Sequence, residues 1–326
     1  MKTQIVYTLV SSEKDYYLEE LWVSLYSLRQ FHPEVTVNVL VDEPTKKYVE
    51  RFPDLCGMIT NIVVVPVPEN YNAKQRSRVI KTTVRNVIDG AYLFVDTDTV
   101  ICKPLDDIDN LTCEIAAVPE EHLMLKDLTF SPVNGIKNLF GVDISDSKYW
   151  FNSGVMFVAD NPTTREFYKL WNQKWEYSCF VKGNSQDQPA LSVANKESNM
   201  LISELPGIYN SQVAMSLKYF ADSAIVHWWH MSFIENQDYS PFFSLQIYKD
   251  VKTAKGLTAD IKELIMHCKQ SFVSPTMPVG KEHIYFLFSP AGKIFNRIYK
   301  EGGAASFLMN KCAAILEKIH KYTKKK

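Results

Sequence analysis

The sequence predicts an α/β protein: a mixed, largely parallel sheet flanked by helices, with a helical C-terminal extension. Three observations predict it. Apolar β-type runs alternate with runs of helical spacing through the first two-thirds of the chain. One of those runs, Ala91-Tyr92-Leu93-Phe94-Val95, is apolar throughout and stops at Asp96-Thr97-Asp98. A strand covered on both faces reads this way, and ionised carboxylates belong at its exposed end. Finally, 326 residues with 46% apolar and 22% charged side chains are enough for a sizeable core.

Gln4–Val10 is the first strand. Tyr17–Phe31 follows as a helix, with Leu18, Leu21, Leu25 and Leu28 on one side and His32-Pro33 ending it. Thr36–Val41 is the second strand, Thr45–Phe52 a helix, and Ile62–Val67 a third strand closed by prolines. Ala73–Ile88 is a helix stopped by Asp89-Gly90, and the fourth strand runs into Asp96. Ile115–Pro119 has strand character. Glu120–Lys148 has no clear period and is expected to be irregular or lid-like. Tyr149–Val158 is a strand interrupted by Asn152-Ser153-Gly154. Thr163–Tyr177 and Gln186–Ala194 are helical, and Ala224–Trp229 is a short strand.

Several function classes are excluded early. The start of the chain lacks the apolar core of a signal peptide, and no run reaches the roughly 20 apolar residues of a membrane span. The six cysteines form no Cys-x-x-Cys pair, which argues against structural zinc and a disulfide scaffold. The expected location is cytoplasmic. Charge is uneven: Lys293–Lys326 holds nine Lys or Arg against two Glu, a net of +7, so the rest carries −8 of the chain's −1. With the apolar stripe Leu308, Cys312, Ile315 and Ile319, the tail is expected to lie on an anionic membrane face, or else to pack on the body with its lysines solvated. No nucleic-acid partner is expected.

Two carboxylates at the carboxyl edge of such a sheet suit Mg²⁺ or Mn²⁺ shared with substrate phosphates. The plain alternative is a strand followed by an Asp-rich turn. His227, at the end of Ala224-Ile225-Val226, is a third ligand for Asp96 and Asp98 or an ordinary structural histidine. Lys74, Arg78, Lys81 and Arg85 fall on one helix face, opposite Val79, Val84, Val87 and Ile88. That face meets a diphosphate or is merely solvated. Asn152-Ser153-Gly154 marks either a ligand approach or a bulge. Asp187 either caps a helix with Pro189 in its first turn or binds hydroxyls. Tyr16 and Tyr17 stack on a base or join the core.

The order of these motifs resembles the nucleotide-sugar-dependent glycosyltransferases of the GT-A fold, most closely glycosyltransferase family 8 and its relatives. The resemblance covers about Ile5 to Trp229. It rests on Arg78-Val79, Asp96-Thr97-Asp98, Phe151-Asn152-Ser153-Gly154-Val155, Gln186-Asp187-Gln188 and Val226-His227-Trp228. It implies a hexosyl transfer, with retention, from a nucleotide diphosphate sugar such as a UDP-sugar to a glycan or lipid-linked acceptor. The implied metal set for Mn²⁺ or Mg²⁺ is Asp96, Asp98 and His227. Asp187 and Gln188 are the implied catalytic pair. Donor contacts are implied for Thr8, Val10, Tyr16 and Tyr17, for Arg78 and Lys81, and for Asp96, Thr97, Asn152, Ser153 and Gly154. Residues 1–235 would form the catalytic domain, with its nucleotide half over about 1–110 and its acceptor half over about 111–235, and 236–326 the extension. Two departures stand out: Pro189 follows the Gln-Asp-Gln, and Trp229-His230-Met231-Ser232 replaces the family's lysine-bearing segment. A nucleotidyltransferase of related fold would carry a glycine-rich loop after the first strand, and Leu9-Val10-Ser11-Ser12-Glu13 has none. A non-catalytic sugar- or nucleotide-binding protein is expected to break the metal set.

Overall fold

In a computed structural model, residues 1–229, 240–271, 286–301 and 303–323 are described. The segment His230-Met231-Ser232 and the last three lysines lie outside them. The chain forms two compact units, Met1–Thr276 and Met277–Lys326.

The first unit is organised by a seven-stranded sheet in the order β3-β2-β1-β4-β7-β6-β8. These strands are β1 (Gln4–Leu9), β2 (Val37–Val41), β3 (Asn61–Val64), β4 (Tyr92–Val95), β6 (Ile115–Pro119), β7 (Phe151–Val158) and β8 (Ile202–Glu204). β1 pairs in parallel with β2 and β4, and β2 with β3. β7 runs against both β4 and β6, while β6 and β8 are parallel. So β7 alone is reversed, and its first residues arrive at the edge where β4 ends.

Every residue of β2, β4 and β7 is buried, as covered central strands require. Their side chains divide between two cores by the two-residue period of a strand. On one face Ile5, Tyr7, Leu93 and Val95 meet the leucines of α1 (Tyr17–Phe31), as the spacing of Leu18, Leu21, Leu25 and Leu28 predicts. On the other, Val6, Tyr92 and Phe94 meet Ile80 and Val84 of α4 (Ala73–Val87) and Trp171 of α6 (Pro162–Glu176). α8 (Gln246–Ala254) and α9 (Ala259–Met266) pack beside α1, through Ile247, Val251, Ile261 and Ile265. A second sheet, β5-β10-β9, joins β5 (Thr99–Ile101), β10 (Ile225–His227) and β9 (Ser211–Gln212).

Two expectations change. The stretch 120–148 is not simply irregular. It contains α5 (Val133–Phe140), and Leu125, Leu128, Ile136, Ile144 and Trp150 form a small core of their own. The cationic face of α4 is not a uniform solvated stripe either. Lys81 and Arg85 are buried, whereas Val87, assigned to the buried side, is exposed. Arg85 donates to the carbonyls of Gly90 at 2.8 Å and Ile88, and pairs with Asp160 at 3.6 Å. It closes the far end of the helix and has no part in the site.

In the second unit, helices Pro290–Glu301 and Gly303–Thr323 follow one another. Ile294, Phe307, Leu308, Ile315 and Leu316 are exposed there. No helix among the described residues is long and apolar enough to cross a membrane.

Candidate metal and phosphate centre

Two sheets meet at Asp96-Thr97-Asp98. At the end of β4 the Asp96 amide donates to the Gly154 carbonyl at 2.7 Å, which extends the pairing with the start of β7. Three residues on, β5 pairs antiparallel with β10, with Thr99 opposite His227. The Trp228 amide donates to the Asp98 carbonyl at 3.0 Å. This places His227 Nε2 3.0 Å from Asp98 Oδ1. One ligand atom from each of Asp96, Asp98 and His227 lies within 4.8 Å of the others. Sequence alone put these residues at strand ends, and the short second sheet is what joins them.

Two carboxylates and an imidazole form a donor set that suits Mn²⁺ or Mg²⁺. Their electrostatics agree. Burial and Asp98 push the Asp96 carboxyl up, although Lys81 pulls it down. Burial alone would lower His227, but Asp98 and Asp96 outweigh it and raise its pKa. His227 Nδ1 lies 2.9 Å from Asn210 Oδ1, a second contact that orients the ring. The residues therefore fit a divalent cation.

The cations of α4 stand beside this group. Lys81, only 4% exposed, reaches Asp96 Oδ1 at 3.0 Å and Asp187 at 3.7 Å. Its ammonium also lies 4.8 Å from the Phe94 ring centre. Arg78 Nε is 3.0 Å from Asp187 Oδ1. Asp187 sits at the start of α7 (Gln188–Glu197) but makes no capping bond. Pro189 occupies the first turn. The Asp187 carboxylate instead accepts from Ser153 Oγ at 2.7 Å. Burial would raise its pKa, yet Arg78 and Lys81 outweigh that and hold it far below the usual range. So buried Lys81, Asp187 and Ser153 and half-buried Arg78 form one cluster that shares Lys81 with Asp96.

The remaining predicted residues fall as follows. Gly154 faces the metal set, and a Cβ there would meet His227 Cε1 at 2.4 Å and Asp96 Oδ2 at 3.0 Å. The glycine is required by a side chain's approach. Thr97 Oγ1 donates to the buried Glu20 of α1 at 3.1 Å and so ties the acid turn to that helix. Tyr17 is 44% exposed; burial first, then Glu20 and Asp15, push its hydroxyl up, with Arg78 opposing and Asp98 adding. Tyr16 packs against the α1 core, with the Lys252 ammonium 4.7 Å from its ring centre. Thr8, half-buried, lies near the end of β1 in register with Leu40. Val10 is buried in the core that holds Ile80 and Val84.

Gln188 donates through Nε2 to Glu120 Oε2 and to the Phe151 carbonyl at 3.3 Å. Asn152 Nδ2 donates to the same Glu120 oxygen at 3.1 Å. Burial pushes the Glu120 carboxyl up to about 7, although Gln188 and Asn152 pull the other way. Sequence reading missed Glu120 and Asn210. Glu120 follows β6 directly, as Asp96 follows β4, and an acid at a strand's carboxyl end was the available signal. Asn210 had none.

No protein-family model matches the chain, and no curated protein matches its sequence. Among solved structures, the WbbM bifunctional glycosyltransferase superposes with a TM-score of 0.51 at 13% identity. That match covers 79% of this chain and 52% of WbbM, so the chain spans about half of that protein. The glycosyltransferase GlyE of Streptococcus pneumoniae gives 0.50 at 14% identity, over 85% of this chain and 67% of GlyE. Mouse xyloside xylosyltransferase 1 gives 0.47 at 13% identity, over 70% of this chain and 97% of the other. The chain has the GT-A glycosyltransferase fold. Within a GT-A sheet, the reversed β7 and the acid turn after β4 occupy one edge, where open α/β sheets keep their ligands.

Proposed function

We propose that this chain is a metal-dependent glycosyltransferase that moves a hexose from a nucleotide diphosphate donor, a UDP-sugar by preference, to a glycan or lipid-linked acceptor. The observation that carries the proposal is the sharing of Lys81 between the Asp96, Asp98, His227 set and the Asp187 cluster. A metal-and-phosphate group and a hydroxyl-binding group are thereby held against one another. Asp98 and His227 would hold Mn²⁺ or Mg²⁺ directly, with Asp96 between the cation and the ribose. The cation, when bound, supplies Lewis-acid stabilisation of the departing diphosphate. Arg78 and Lys81 add positive charge beside it. Tyr17 offers its ring to the base, and Thr8, Val10 and Tyr16 are taken as further donor contacts. Asp187, Ser153 and Asn152 bind sugar hydroxyls. Gln188 is a poor nucleophile, so attack by the acceptor from the leaving-group face, with retention, is favoured over a covalent intermediate. The catalytic domain is taken as 1–235, with 236–326 as its extension.

Thermal denaturation with a panel of nucleotide-sugars, with and without Mn²⁺, tests this. A true donor at about 100 times its Kd adds about 2.7 kcal/mol of apparent stability, and only when the metal is present. No response to any nucleotide-sugar, or an equal response in excess chelator, defeats the proposal. The exposed apolar side chains of the second unit and the basic tail support a peripheral seat on the inner face of a membrane. Sedimentation with anionic vesicles should fall as salt rises and fall further when the chain is cut before Ala304. Equal sedimentation of the two forms refutes that seat.

A further inference from the structure

Gln188 and His227 lie at the two ends of one buried chain of hydrogen bonds, and the direction of every bond in it follows from Glu120. Glu120 Oε2 accepts from Gln188 Nε2 and from Asn152 Nδ2. A carboxyl oxygen facing two amides leaves each amide one way to turn. Asn152 has given its NH₂ to Glu120, so its Oδ1 accepts, from the Gly154 amide at 2.8 Å and from Asn210 Nδ2 at 2.9 Å. Asn210 has then used its NH₂ and presents Oδ1 to His227 Nδ1 at 2.9 Å. Facing an acceptor, Nδ1 must carry the ring hydrogen. That leaves Nε2 on the side of Asp98 and Asp96, where Asp98 Oδ1 at 3.0 Å accepts its hydrogen until a divalent cation takes that hydrogen's place. The Trp229 indole N–H, 3.3 Å from the same Nδ1, competes for the opposite tautomer over a longer distance. At the other end both N–H groups of Gln188 are engaged, by Glu120 and the Phe151 carbonyl, so its Oε1 is left for the pocket. Glu120, Asn152, Asn210 and His227 are all buried, which keeps water from scrambling the order.

We propose that Glu120 is a positioning residue: through Asn152 and Asn210 it keeps the hydrogen of His227 on Nδ1 and Nε2 open to a divalent cation, and directly it turns the Gln188 carbonyl toward the donor sugar. This rests on the function proposed above for the same site. The polarity does not depend on the charge of Glu120, because a proton on Oε1 leaves Oε2 an acceptor. Glu120→Gln can therefore preserve the relay, whereas Glu120→Leu removes the acceptor and releases both amides.

The test compares these two variants with the unaltered protein by ¹⁵N spectra of the histidines, Mn²⁺ titration and kinetics. With diamagnetic Mg²⁺ in place of Mn²⁺, the loaded protein should show the His227 ring neutral with its hydrogen on Nδ1. Glu120→Leu should free the Asn152 and Asn210 amides to turn, weaken Mn²⁺ binding by about tenfold or more, and lower kcat at saturating Mn²⁺ by about 10- to 100-fold. The donor KM should move less than kcat, since the donor-binding cations are untouched and Asn152 alone among the hydroxyl contacts is released. Glu120→Gln should recover most of each loss. A hydrogen on Nε2 in the Mg²⁺-loaded unaltered protein overturns the relay whatever the variants do. So does a Glu120→Leu protein with unchanged Mn²⁺ affinity and kcat, or a folded Glu120→Gln protein as damaged as Glu120→Leu. If the unaltered protein turns over no nucleotide-sugar, the proposed function fails while the tautomer and Mn²⁺ readings still judge the relay.

Discussion

Gly154→Ala adds one methyl group to the most crowded point of the site. That carbon would lie 2.4 Å from His227 Cε1, 2.8 Å from Asn152 Oδ1 and 3.0 Å from Asp96 Oδ2. Ordinary contact begins at 3.4 Å, so the imidazole or the strand must move by about 1 Å. The ring cannot move freely, because Asn210 holds one nitrogen at 2.9 Å and Asp98 the other at 3.0 Å. A shift of that size breaks at least one of these bonds, at about 1 kcal/mol net, and overpacking adds about 1–3 kcal/mol. The stiffer unfolded chain returns about 0.4–1 kcal/mol. The net loss of stability is therefore modest, about 1–3 kcal/mol. The functional loss is larger, since a misplacement of about 1 Å costs about 100-fold in rate. The assay is the rise in melting temperature across a Mn²⁺ titration. Gly135→Ala is the control: it lies inside α5 with nothing within 4 Å of the new carbon. It should gain about 0.5–1 kcal/mol and keep the Mn²⁺ response. If Gly154→Ala keeps that response at an unchanged midpoint, the glycine is not there for the metal set and the reasoning fails.

Asp98→Asn should abolish Mn²⁺ binding and turnover while the metal-free melting temperature holds at a pH above the raised pKa of His227, where that pairing no longer contributes; a large fall there would make Asp98 structural. Arg78→Ala should weaken the donor Kd by about tenfold, whereas Arg85→Met should cost about 3–5 kcal/mol by stranding buried partners and leave the donor Kd of the folded protein unchanged. Equal effects on donor binding would refute that division of the α4 face. The two pH trends at His227 should oppose each other. Its pKa is raised on folding, so its pairing with Asp98 stabilises the metal-free protein fully below about 6.5 and the stabilisation is lost as pH rises through the folded value. Mn²⁺ must displace that proton, so its affinity should rise over the same interval, by up to about tenfold per pH unit. Parallel trends in the melting temperature and the Mn²⁺ Kd would show that His227 is not a ligand.

How much of this was legible depended on whether a signal was local. The apolar run into Asp96 announced a buried strand and its exposed end. The leucine spacing of α1 announced its buried face, and both appear as expected. The α4 cations were read correctly in azimuth and wrongly in environment. Spacing places Lys81 and Arg85 on one side of a helix, but it cannot show that two carboxylates wait for one and a set of carbonyls for the other. A buried charge with partners looks in sequence like a solvated charge without them. Asp187 shows the same limit: Asp before Gln-Pro signals a cap, and only the distant Arg78, Lys81 and Ser153 reveal why its carboxylate turns away. Asn210 is meaningful only through the pairing of three-residue strands more than a hundred residues apart.

The ion cluster also controls the order in which the site can be loaded. Before anything binds, with His227 protonated, the carboxylates of Asp96, Asp98 and Asp187 face the cations of Lys81, Arg78 and His227, three against three. Such a pocket is close to electrically neutral and exerts little long-range pull on an anion. On the proposed function, exchanging the imidazole proton for a divalent ion would leave it one charge positive, and only then would it draw in a diphosphate. The protein would thus be indifferent to free nucleotides in a cation-poor solution and attractive to them in a cation-rich one, with the switch residing in a single ring nitrogen of His227.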